Sequence, residues 1–258
     1  MTVVLSAIRR DLRLALLRPT GLVLDALGIV VGVALIFFIG RFVGSGSNGV
    51  PYFAYAATGL PVLRMHGAVG RVLAALGIGT VSGTFEHAVS SPAPVPVVVL
   101  AELAFELLRA AVIALLLLAV AALYGAPFAL SVGGAVGVLL GIVGAAGVFA
   151  ALGALVIGLV QVVREASSVV ALTALVLPVL AGAYFPLSTL PAPIEAVATV
   201  LPFRLPVDLL RAGLVDGTLD VGAAALLAAS LAVALPLGLA AAAAGVAHAR
   251  RRGALGSA

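Results

Sequence analysis

The sequence predicts an all-α polytopic membrane protein. It reads as six transmembrane helices, an N-terminal interfacial amphipathic helix, and short re-entrant helices between spans five and six. Three observations predict this class. Of the 258 residues, 64% are hydrophobic and only 9% are charged, whereas soluble domains carry about 25% charged residues. Apolar runs follow one another at lengths suited to a bilayer core of about 30 Å, which takes roughly 20 helical residues. Most of the basic residues gather at the ends of those runs rather than inside them.

The whole chain, 1–258, reads as a single transmembrane domain. Residues 3–18 are the interfacial helix: Val4, Leu5, Ile8, Leu12, Ala15 and Leu16 share one arc of a helical wheel, with Arg9, Arg10 and Arg13 to one side of it. Such a helix lies in the membrane plane, its arginines reaching anionic head groups. The expected spans are 21–43, 50–77, 97–123, 128–160, 168–184 and 220–247. The second has a clean apolar part of only about 14 residues, short of the usual length, because Arg64, His66 and Arg71 interrupt it. In the fourth, Gly133, Gly137, Gly141 and Gly144 recur at near-helical spacing. Small residues in such a stripe let helix backbones approach closely.

Six spans put both termini on one side. Arg9, Arg10, Arg13 and Arg18, then Arg164, then Arg250, Arg251 and Arg252 all fall on that side, and only Arg41, Arg204 and Arg211 fall opposite. The positive-inside rule makes the majority side cytoplasmic. The net charge of +4 therefore reports topology, and no nucleic-acid partner is implied; the partner it implies is the lipid bilayer.

Several chemistries are excluded. The chain has no cysteine, so disulfide, iron–sulfur and thiolate chemistry are absent. It has no lysine, since all fourteen basic residues are Arg, which rules out a Walker A loop and a Schiff base. His66, His87 and His248 have no metal-ligand spacing, so no metal site is expected. The "GSGS" near Ser45 is a loop rather than a nucleophile turn. The chain is not expected to be an enzyme or to hold a cofactor of its own.

Three groups of residues carry the candidate function. The segment 82–92, "SGTFEHAVSSP", lies on the cytoplasmic side and can form a short helix with Thr84 at its start and Pro92 as its stop. The charges Arg64, Arg71, Glu102, Glu106 and Arg109 fall inside spans two and three. Intramembrane charges usually face the bundle interior and pair. Counting about 1.5 Å per residue from cytoplasmic ends near residues 78 and 96 matches Arg71 with Glu102, and Glu106 with Arg64 or Arg109. The third group is the extracytoplasmic segment 185–215, beginning "FPLSTLP". Ile194 to Val200 and Leu205 to Leu214 read as two helices too short to cross, with Pro193 and Glu195 in the first turn of one and Asp208 and Arg211 paired at i, i+3 in the other. Backbone of this kind at membrane depth has to be covered by protein or line an aqueous cavity.

Two of these segments carry a resemblance. "GTFEHAVSSP" resembles the signature after the second span of ABC type-2 permeases, the membrane subunits of ATP-binding-cassette exporters. "YFPLSTLPAPIEAVATVLP…LLRAGL" resembles the same family's segment before its last span, and "PYFAYAATGLP" fits the approach to span two. One departure is the apolar "VLAALGIGTVS" where the family usually carries charges. The resemblance implies an exporter permease that works as a dimer, with homodimer the expectation, driven by a separate ATP-binding subunit that holds ATP and Mg. It gives Gly83, Thr84, Phe85 and Glu86 to a cytoplasmic coupling helix, and Phe185, Pro186, Leu190 and Pro191 to an external gate. The localisation implied is the cell membrane, with a drug-like or amphipathic cargo; multidrug efflux is one such role. An alternative reading is an ion- or proton-coupled carrier using Glu102, Glu106 and Arg109; another is a non-transporting scaffold.

Overall fold

Eight α-helices and one short 3-10 turn make up the described part of the computed structural model, with no strand among those residues. The described residues are 19–44, 51–82, 94–129, 131–163 and 166–251, together with Arg9 and Arg13. The interfacial helix expected over 3–18, apart from those two exposed arginines, lies outside them, as do residues 45–47 of "GSGS" and the segment 83–93.

In chain order the helices are α1 (Pro19–Val43), α2 (Tyr52–Ser82), α3 (Val95–Leu123), α4 (Val132–Val163), α5 (Ala166–Leu180), α6 (Ala192–Val200), α7 (Arg204–Leu214) and α8 (Val221–Arg251). The 3-10 turn Leu187–Thr189 precedes α6. Long helices thus stand at all six expected places except the fifth, where α5 has 15 residues, about 22 Å. By length and composition, α1, α3, α4 and α8 are apolar enough to cross a membrane among the described residues. α2 is long but carries Arg64, His66 and Arg71, so its apolarity falls short.

Helix α4 occupies the centre and packs against α2, α3, α7 and α8. Its small residues explain why. A Cβ on Gly158 would stand 2.4 Å from the carbonyl oxygen of Ala241, and one on Gly245 would stand 2.2 Å from that of Gly158. The backbones of α4 and α8 therefore touch, as small-residue seams allow. Farther along, α4 meets the short helix α7: a Cβ on Gly134 would lie 2.3 Å from the Gly213 carbonyl oxygen. The glycine stripe is spent on helix contacts within one chain, with Gly137 and Gly141 facing α7 and Gly144 facing Leu227 of α8.

Helix ends follow from local sequence. Ser131 caps α4, its Oγ accepting the Gly134 N–H at 2.8 Å. Asp220 does the same for α8, accepting from Ala223 N–H at 2.9 Å. α5 is stopped by Gly182, two residues past its end, whose φ of +62° suits a residue without Cβ. The Ala183 N–H bonds Pro178 O and the Gly182 N–H bonds Val179 O, both at 3.0 Å, the paired bonds of a glycine helix stop. The chain then turns into 187–189.

α1 lies on the outside. Its second half buries Ile29, Val33 and Ile36 against Phe53, Ala56, Ile113 and Leu117 of α2 and α3. Its other face leaves Val23, Leu24, Leu27, Phe38 and Phe42 exposed.

Candidate functional site

Among the described residues two polar clusters join the helices of this apolar bundle, the first reaching its surface at Arg71. The first joins α1, α2 and α3. Arg71 Nε donates to Glu106 Oε2 at 2.6 Å, and Arg109 Nη1 lies 3.6 Å from Glu106 Oε1. Arg109 also donates to Asp25 Oδ2 of α1, through Nε at 2.9 Å and through Nη2. Arg64 Nη2 donates to the Gly28 carbonyl oxygen of α1 at 2.9 Å. Counting matches Arg71 with Glu102, and an acid that meets it in the structure is Glu106, one turn deeper. The cause is the helix ends. α2 runs to Ser82 and α3 starts at Val95, so Arg71 and Glu106 each stand about 16 Å from those ends. Glu102 also has an interaction partner. The Glu106–Arg109 contact matches expectation, whereas Arg64 turns to α1 instead.

Asp25 joins this cluster from outside the expected set. It sits in the first apolar run, whereas the charges expected inside the membrane fall in spans two and three. A signal in the sequence does mark it: Gly21, Asp25, Gly28 and Gly32 fall at i, i+4, i+7 and i+11, one helical face. Cβ atoms built on Gly21 and Gly28 would lie 3.8 Å from Arg109 Nη2 and 3.4 Å from Arg64 Nη2. The glycines make room for the two guanidinium groups. A charge at the membrane centre costs about 2.5–3.5 kcal/mol on insertion scales, so mutual pairing offsets part of the cost of keeping these groups in the bundle.

The second cluster holds the segment after α5. Gly182, left with a free carbonyl by the glycine stop, accepts Arg211 Nη2 at 2.6 Å and Tyr55 Oη–H at 3.3 Å. The Arg211 guanidinium also lies over the Tyr55 ring, 3.7 Å from its centroid, a cation–π contact. Beside them a Cβ on Gly59 would stand 2.3 Å from Ala183 O, so this corner rests directly on α2. Three elements, α2, the end of α5, and α7, therefore converge on one carbonyl. The expected Asp208–Arg211 pair gives way to this arrangement: Asp208 pairs with Arg204, Oδ2 to Nε at 3.9 Å. Burial pushes the Asp208 carboxyl up from the ordinary range, with Arg204 and Arg211 opposing it, and burial lowers Arg211.

The expected gate residues lie just past the corner. Pro186 precedes the 3-10 turn and accepts from Thr189, and Pro191 starts α6. Pro193 and Glu195 occupy the first turn of α6, as predicted. α7 is sunk into the bundle, with Val207, Leu209 and Leu210 fully buried, and α6 leaves Ile194, Val197 and Val200 exposed. Phe203, just before α7, packs at a tilt against Phe149 of α4, with ring centroids 5.9 Å apart, and His66 meets the same ring edge-on at 6.0 Å. Gly83, Thr84, Phe85 and Glu86 fall outside the described residues. Among the described residues no group of His, Asp or Glu is arranged to hold a metal ion.

A multi-pass bundle of apolar helices with paired charges inside it defines a helical membrane protein. The family model described as ABC-2 type transporter matches residues 79–215, just over half of the chain, and the chain belongs to that family. It carries an ABC transporter membrane domain of the permease type. No curated protein matches the chain.

Proposed function

We propose that the chain is the permease subunit of an ABC exporter, forming the translocation pathway as a homodimer and powered by a separate ATP-binding subunit that carries ATP and Mg. The observation that carries this reading is the extent of the family match. It begins at residue 79, just before Gly83–Glu86, and ends at 215, one residue past α7. It therefore takes in both segments to which coupling and gating are ascribed.

In the proposed mechanism, closure of the ATPase pushes the segment 82–92, where Gly83, Thr84, Phe85 and Glu86 make the contact. That segment continues directly from α2, which at about 46 Å exceeds a bilayer core of about 30 Å. The same helix carries Tyr55 at its far end, against Gly182 and Arg211. A push on α2 thus acts on the corner that holds the gate segment of Phe185, Pro186, Leu190 and Pro191. Here α2 and α5 serve as the remaining two spans, and α6 and α7 as re-entrant helices of the outer leaflet. The arginine distribution supports a cell-membrane orientation with both termini in the cytoplasm. The cargo is an amphipathic or drug-like molecule, since a chain with no Trp and 5% aromatics offers little surface for stacking sugars. Pairing of Glu106 and Arg109 with Arg71 and Asp25 supports a structural role for these charges over a proton relay.

Purification of the tagged chain from its native host tests the reading. An ATPase carrying a Walker A motif should copurify, and Glu86→Arg should weaken the association. Absence of any such ATPase from the wild-type preparation would sink it.

A further inference from the structure

We infer that Asp25 is the positioning residue of α1, tying the amino-terminal half of that helix through Arg109, Glu106 and Arg71 to α2. The two halves of α1 are held differently. Beyond Gly28, α1 buries Ile29, Val33 and Ile36 in an apolar cluster. Between residues 20 and 28, Val23, Leu24, Ala26 and Leu27 are exposed, and Gly21, Asp25 and Gly28 are the partly buried positions among those whose burial is described. What meets them is Arg109 and Arg64. Among the described residues, the polar contacts of this half of α1 are one ion pair and one arginine–carbonyl bond.

The attachment continues across the bundle with alternating sign. Asp25 is bound by Arg109, Arg109 lies against Glu106, and Glu106 accepts from Arg71 of α2. In a low-dielectric surrounding, charge-assisted bonds of this kind are shorter and stronger than neutral ones. Apolar faces that share only lipid-like contacts slide more readily, because lipid tails compete equally for them. Arg71 stands about 16 Å from the end of α2 that leads into the proposed coupling segment. Displacement of that end is carried to α1 because the charges hold register. This consequence rests on the proposed exporter function; the tie itself does not.

The test uses the absence of native cysteine. Spin labels go on Leu24→Cys of α1 and Leu108→Cys of α3, both exposed, in the full-length chain in lipid nanodiscs. A control pair goes on Leu139→Cys of α4 and Leu226→Cys of α8, also exposed. With the labelled chain diluted in unlabelled chain, so that each pair reports on one protomer, wild type should give one narrow 24–108 distance. Asp25→Asn and Arg109→Gln should each add a longer population, and the two together should add no more than either alone. Asp25→Glu should restore the single distance. An unchanged distance in Asp25→Asn overturns the inference. So does broadening of the 139–226 control, which would make Asp25 a general determinant of folding.

With a copurified ATPase, wild type and Asp25→Glu should change the 24–139 distance on adding ATP, and Asp25→Asn should not. A normal ATP response in Asp25→Asn overturns transmission through the tie. Failure of any ATPase to bind wild type refutes the exporter reading while the distances still decide the tie.

Discussion

Gly133 and Gly134 are neighbours in the first turn of α4, yet alanine at the two positions should change stability in opposite directions. At Gly134 a Cβ would lie 2.3 Å from the Gly213 carbonyl oxygen and 3.0 Å from Ser131 Oγ. The first is a backbone atom of α7 and cannot rotate away. Ordinary contact begins about 1.1 Å farther out, and opening the α4–α7 seam by that much forfeits a quarter to a half of its dispersion attraction. Overpacking of this kind costs about 1–3 kcal/mol. It also displaces the cap, because Ser131 Oγ holds the Gly134 N–H. At Gly133 the nearest atom is Leu219 N at 3.7 Å, ordinary contact, so Gly133→Ala gains helix propensity of up to about 1 kcal/mol. The assay is unfolding in mixed micelles, titrated with dodecyl sulfate and followed by circular dichroism. A Gly134→Ala variant as stable as wild type, or a Gly133→Ala variant destabilised as much as Gly134→Ala, would refute close α4–α7 packing.

Three further outcomes are expected. Arg211→Leu removes a charged hydrogen bond and a cation–π contact at Gly182, a loss of about 2–4 kcal/mol; Arg211→Lys should recover only part of it in the same unfolding assay, since an ammonium cannot stack and bond as the planar guanidinium does. Tyr55→Phe keeps the ring beneath Arg211 and loses only the long 3.3 Å bond, so its cost in that assay should stay below about 1 kcal/mol. Asp208 has a carboxyl raised in the folded state by burial, so the native protein holds its proton over a window just above the ordinary carboxylate range where the unfolded chain has lost it. Stability contributed by this group is present below that window and is lost as pH rises through it. Asp208→Asn should therefore flatten the decline between acid and neutral pH, as read from unfolding midpoints at each pH.

Much of the architecture was legible because a bilayer makes composition and run length decisive. The long helices stand where apolar runs stand, and the first of the two short helices after α5 was marked by Pro193 and Glu195. The glycine stripe of the fourth run was legible as a close-packing surface, although its partners, α7 and α8, were not. Pair assignments were less legible. Matching Arg71 to its acid needs helix ends correct to within a turn, and apolar residues at the end of α2 give no boundary signal. Asp25 is hard to single out because one acid in a long apolar run looks incidental until Arg109 arrives from α3. The Arg211–Tyr55–Gly182 corner was invisible for a different reason: its acceptor is a backbone carbonyl, and no residue type announces one.

The most direct measurement of the central claim is ATP hydrolysis and transport by the chain reconstituted in proteoliposomes, with and without the ATPase that copurifies with it. The expected result is that the chain alone neither hydrolyses ATP nor moves a fluorescent amphiphile such as Hoechst 33342 down an imposed proton gradient. The joint preparation should hydrolyse ATP and lose that activity with Glu86→Arg. Gradient-driven uptake by the chain alone, with no ATPase present, would contradict it.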